Sequence, residues 1–195
     1  MSPLAEAYKY VFQPINRPIY APLTDQSQNY TCANSSATPV AIGAVASLYN
    51  ASCTESNYPT LSSMMTNLVI NYPLPSNPTA NFQPPNILLS GHHFFANTTP
   101  VFDLDLTPQT QYGYAVAKKD ASSPAPTNAP AGPNGEAAVA WLKLNTVDGT
   151  KGGLRHVYRV NTVGGSPAKT CEGKDPGVFT VEYSAQYWFF AENTS

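Results

Sequence analysis

The chain has 195 residues, enough for one domain with a sizeable core. Only 11% of them are charged and the net charge is -2, which excludes a basic footprint for nucleic acid and a polybasic membrane patch. Twelve Tyr, eight Phe and two Trp exclude a disordered chain, and nineteen Pro argue against long helices. No apolar run approaches the ~20 residues that a membrane helix needs.

In chain order, the periodicity is that of strands. Tyr8 to Phe12 alternates aromatic and other residues. Gln28 to Cys32 and Ala41 to Tyr49 are short β-like runs with turn residues beyond them. Leu61 to Ile70 is the one plausible helix, and Asn71 to Pro85 is a loop rich in Pro, Asn and Ser. Ile87 to Phe95 and Val101 to Leu106 read as a strand pair. Ala121 to Gly135 carries four prolines and no large apolar residue, and reads as an exposed, mobile excursion. Ala137 to Leu144, Leu154 to Thr162 and Val178 to Phe190 complete the set, separated by glycine-rich turns. The expectation is an all-β, single-domain β-sandwich or barrel-like fold over 1–195, with long Pro-rich loops and at most one or two short helices. Within it, Ala137 to Leu144 should be a central strand buried on both faces. Trp141 and Val139 would share one core face with Lys143, and Leu142 and Leu144 the other.

Cys32, Cys53 and Cys171 allow one internal disulfide and one leftover thiol. None has the spacing of a zinc or redox pair. Sequons stand at Asn29, Asn34, Asn50, Asn97 and Asn193. Together with the low charge they point to a secreted, extracellular glycoprotein whose signal peptide has been removed.

The chemistry-bearing constellations are sparse. The glycine clusters at 149–153 and 164–165 open no helix and lack the phosphate-binding patterns, so nucleotide chemistry is excluded and no cofactor is implied. His92 and His93 precede Asp103 and Asp105, and His156 follows. On a strand adjacent histidines face opposite ways, so only one of the pair could join a carboxylate in a metal or hydrolytic site. The default reading is no metal, with one His buried and the other wet. No G-x-S-x-G elbow is present, and Glu136, Glu172 and Glu182 do not by themselves define a glycosidase pair. Tyr187 and Trp188 are candidates for a carbohydrate platform, although alternation places at least one of their two faces in the core.

The order of several segments resembles a family of secreted fungal and bacterial proteins known as domain of unknown function 3455. The segments are Gln28-Asn29-Tyr30-Thr31-Cys32 (a Q-x-Y-x-C opening), Gly91-His92-His93-Phe94-Phe95, Ala140-Trp141-Leu142-Lys143-Leu144 and Arg159-Val160-Asn161-Thr162-Val163-Gly164-Gly165. Cys171 and the aromatic ending Val181 to Phe190 follow, so the likeness spans about 8–191. Family members often carry the label malate dehydrogenase. This chain has neither a Rossmann fingerprint nor an Arg/His/Asp catalytic set, so the label is rejected. In bacterial members a Gly-Pro-x-Trp follows the His motif, and here Asn97 to Phe102 stands instead. Because Cys32 and Cys171 both flank family-like motifs, the resemblance implies a Cys32–Cys171 bridge, with Cys53–Cys171 as its competitor.

Two function classes follow. The first is a non-catalytic cell-surface or effector-like protein that binds cell-wall glycan or a host protein. The second is a hydrolase or metal-dependent enzyme using His92 or His93 with Asp103 or Asp105. Neither nucleic acid nor membrane is an expected partner, and the oligomeric state is left open.

Overall fold

Eight strands, each antiparallel to its neighbour in sequence, close on themselves as the barrel β1-β2-β3-β4-β5-β6-β7-β8. The computed structural model describes residues 27–71, 88–106 and 111–192. The expected strand at 8–12, most of the 71–85 loop and Asn193 lie outside the described residues. The strands are β1 (Ser27–Cys32), β2 (Val40–Asn50), β3 (Leu88–Ala96), β4 (Thr99–Asp103), β5 (Tyr114–Ser123), β6 (Trp141–Thr146), β7 (Leu154–Gly164) and β8 (Gly177–Ala191). Two helices, α1 (Ser52–Asn57) and α2 (Pro59–Val69), lie between β2 and β3. The fifteen-residue β8 pairs with β7 along one edge and with β1 along the other, and so closes the barrel. Closure leaves no open sheet edge and no need for a second sheet.

Alternation sets what each strand sends inward. On β8 Tyr183, Ala185, Tyr187 and Phe189 enter the core with Leu48 of β2, Phe102 and Leu104 beside β4, and Val157 of β7. Of these, Leu48, Leu104, Val157 and Phe189 pack the interior away from Ala44 of β2 and Ala117 of β5, beside which it stays open. On the outer face, Tyr158, Trp188 and Ala51 form a second cluster. Helix α2 covers β8 through polar contacts: Ser184 Oγ donates to the Thr66 carbonyl at 2.6 Å, and Gln186 Nε2 to the Ser62 carbonyl at 2.8 Å.

The disulfide is Cys32–Cys171, with 5.9 Å between the Cα atoms, so the Cys53–Cys171 alternative is set aside. It ties the end of β1 to the β7–β8 connection. Three expectations need correction. Strand β5 was not foreseen, because its short Tyr-Ala-Val-Ala run precedes a charged Lys118-Lys119-Asp120 segment. Strand β6 starts at Trp141, so Val139 joins the interior cluster. Trp141 is buried on the outer face, beside Lys143 and Tyr158, while Leu144 fills the interior. The 121–135 excursion begins as the end of β5, and its remaining residues are mostly exposed. Gly132 N–H donates to the Glu136 carbonyl at 2.8 Å, and Gly164 N–H to the Pro130 carbonyl at 3.4 Å.

Candidate functional site

The small inward residues leave a cavity of about 630 Å³ at one end of the barrel, within the range of small-molecule sites. Its mouth lies where the β3–β4 turn (Thr98 to Pro100), the start of β2 at Ala41 and the Lys118-Lys119 pair of β5 come together. Ala44, Ala117, Leu142 and Leu144 make apolar walls, and Phe95 and Phe102 supply rings. Four polar side chains also line it: Gln28, His93, Arg159 and Tyr187. An eight-stranded barrel is just wide enough to be filled by side chains or to hold one small ligand. This barrel does both, in different parts of its interior.

The Q-x-Y-x-C opening explains how Gln28 arrives there. Its period of two points Gln28, Tyr30 and Cys32 the same way. Tyr30 Oη donates to the Gly165 carbonyl at 2.8 Å, and Cys32 takes the disulfide. Gln28 is left at the cavity, only 8% exposed, beside the Tyr183 phenol but with its Nε2 reaching no acceptor at hydrogen-bond distance.

Arg159 comes from the second family-like segment, and its neighbours in that segment fix the rim. Thr162 Oγ1 donates to the Val139 carbonyl at 2.7 Å and Asn161 Nδ2 to Gln186 Oε1 at 2.7 Å, where β7 is irregular. Gly165 has φ +93 and a Cβ there would stand 2.7 Å from Tyr183 Cβ, so this turn requires glycine. Arg159 itself faces inward between Leu142 and Tyr187 on the flanking strands. Its Nε and one terminal nitrogen donate to the Ala140 carbonyl at 3.2 and 2.9 Å, and its guanidinium lies 5.8 Å from the Tyr183 ring centroid. Among the described residues no carboxylate comes within ion-pair distance of it; the pairs Lys143–Asp120 and Arg155–Glu192 are elsewhere.

His93 and His92 do face opposite ways. His92 is exposed and pairs in register with Asp103, while His93 is buried opposite Phe102. The His93 ring stacks on Phe102 at 4.2 Å. Its Nδ1 lies 2.8 Å from the Val101 carbonyl, which can only accept, so Nδ1 carries the proton and Nε2 keeps a lone pair. Burial pushes its pKa down to about 4, and the Arg159 charge pushes the same way, so the ring is neutral at pH 7. Burial likewise raises the Tyr183 phenol well above the usual tyrosine range, and its hydroxyl pairs with that of Tyr187 at 2.9 Å.

The other sequence candidates are dispersed. Asp103 accepts the Asp105 N–H at 3.1 Å and Asp105 the Gly113 N–H at 2.6 Å, so both carboxylates brace a turn on the far side of the sheet from His93. His156 meets Asn145 Oδ1 at 2.9 Å. Among the described residues no three His, Cys, Asp or Glu side chains gather as a metal set. Tyr187 lines the cavity floor, whereas Trp188 is buried under the outer cluster. Of the sequon asparagines, Asn34 and Asn97 are exposed and Asn29 is half-buried. Asn50 has its amide nitrogen turned to Tyr112 Oη at 3.2 Å.

A family model described as Protein of unknown function (DUF3455) matches residues 14–191. The chain belongs to this family. No curated protein and no solved structure matches the chain. In this DUF3455 chain the segments that carry the resemblance converge on the cavity through His93, Leu142, Leu144 and Tyr187, and through Gln28 and Arg159. Neither Gln28 nor Arg159 stood out as a site candidate in the sequence. The available signal was periodicity: a polar residue in step with inward-facing neighbours.

Proposed function

We propose that this DUF3455 protein is a non-catalytic extracellular binding protein that holds a small, mostly apolar molecule in the mouth of its barrel. The observation that carries this reading is the cavity itself. Leu48, Leu104, Val157 and Phe189 pack one part of the interior, while beside Ala44 and Ala117 it stays open. A domain under selection for packing alone gains stability by filling such space. Glycan stacking on Tyr187 or Trp188 is not supported, since both rings are buried. Nor is an enzyme built on His92 or His93 with Asp103 or Asp105, since His93 faces away from Asp103, and the register pair His92–Asp103 lies outside the cavity with both carboxylates bound into a turn. The disulfide fits an oxidising compartment, and no helix among the described residues is long and apolar enough to cross a membrane. Exposed Asn34 and Asn97 are the positions where glycans would sit.

The test is titration with the neutral fluorescent probe N-phenyl-1-naphthylamine. The wild type should bind it saturably at one site. Ala117→Phe, which fills the mouth from β5, should weaken that binding about ten-fold or more, a loss of ~1.4 kcal/mol. Absence of saturable binding, or equal binding by the filled variant, would sink the proposal.

A further inference from the structure

The cavity holds a cation without a counter-charge. Arg159 is 8% exposed, faces inward from β7 and spends Nε and part of one terminal nitrogen on the Ala140 carbonyl. A carbonyl dipole orients a guanidinium but does not neutralise it, and burial of an unpaired charge is costly. Beside it stands Gln28, more than nine-tenths buried and next to the Tyr183 phenol; its Nε2 reaches no acceptor at hydrogen-bond distance among the described residues. Both side chains line the same cavity, and among the described residues no Asp or Glu lines it with them. At the mouth Lys118 and Lys119 add positive charge at the entrance.

A buried cation without a counter-charge and a buried amide with an unused donor both suit an acceptor from outside. Resting on the binding reading above, we infer that the ligand is a monocarboxylate with an apolar body. Its carboxylate meets Arg159 and Gln28, and its hydrocarbon part lies against Leu142, Leu144, Phe95 and Ala117. The guanidinium keeps N–H groups that Ala140 does not use, and a planar carboxylate suits them. A carboxylate balances the single buried cation, because His93 is neutral. The apolar walls exclude a small inorganic anion as the preferred occupant, since it would leave most of the cavity unfilled.

The experiment is displacement of N-phenyl-1-naphthylamine at pH 7 by decanoate and by 1-decanol, which share a tail and differ in the head. Decanoate should displace the probe at about ten-fold lower concentration than 1-decanol. In Arg159→Met the advantage should shrink to within about two-fold while the probe still binds, and Gln28→Leu should lose part of it. Arg159→Lys, which keeps the charge and loses the fork, should fall between. A measurement on the wild type covers the chance that Arg159→Met unfolds: carboxyl-labelled decanoate followed by carbon-13 NMR should titrate at lower pH when bound than when free. Equal displacement by the two compounds, or a bound carboxyl that titrates at or above its free value, overturns the carboxylate inference and leaves the binding reading standing. Failure of the probe itself to bind the wild type removes both.

Discussion

His93 shows how one buried side chain gives the protein a pH response. Its pKa falls from an ordinary 6.5 to about 4 in the folded state, chiefly through burial. The unfolded chain therefore binds the proton that the folded chain refuses. Stability is fully present above pH 6.5 and is lost as pH falls toward 4, by an amount on the order of 3 kcal/mol. His93→Gln should remove most of that slope between pH 6.5 and 4 in urea unfolding followed by fluorescence; an unchanged slope would assign it to other groups. Trp141 is a second case. It is buried, but on the outer face over a shallow cleft, and its Nε1 has no hydrogen-bond partner among the described residues. Trp141→Ala is expected to cost ~2–3 kcal/mol, below the range for a ring in a closed core, and Trp141→Phe less than ~1 kcal/mol because an unpaired donor leaves with the indole. Thermal unfolding decides it, and a Phe variant as unstable as the Ala variant would contradict this account. Residue identity announced that Trp141 would be buried. It could not announce which face, because that depended on where β6 starts.

At the scale of elements, β3 and β4 illustrate why the Gly-His-His segment begins with glycine. A Cβ on Gly91 would stand 2.6 Å from the Asp103 carbonyl oxygen and 2.7 Å from Leu104 Cδ2. Strand β4 would have to move away from β3, so Gly91→Ala should destabilise by ~2 kcal/mol or more, an overpacking cost read from the melting temperature. The hairpin was legible: two β-like runs flank a turn in which Asn97 takes φ +57. The helix was legible too, from Pro59 at its start and a run free of Gly and Pro. Strand β5 was not. Its Ala115 and Ala117 supply too little apolar signal for a strand, and the small Ala117 helps to keep the mouth open. The candidate site was hidden for the same reason. Gln28 and Arg159 sit on strands where a polar residue ordinarily reads as solvent-facing, and only closure of the barrel turns that face inward.

For the whole molecule, the barrel closes through β1 against β8, and the disulfide fastens that seam at the cavity end. Its two cysteines are 139 residues apart, so in the chain-entropy description the bridge contributes up to ~5 kcal/mol by restricting the unfolded chain. Reduction should lower the melting temperature by roughly 10 °C or more for a domain of this size. An unchanged temperature would mean that the unfolded chain is already compact.

The outer surface has an apolar feature of its own, the exposed Leu61, Met64 and Leu68 on α2. A tail-bearing ligand therefore has two places to go, and the central claim is that it enters the barrel. Intermolecular NOEs between the decanoate chain and methyl-labelled protein separate them. Entry into the barrel gives contacts to the methyls of Ala117, Leu142 and Leu144. Contacts confined to Leu61, Met64 and Leu68 would contradict it.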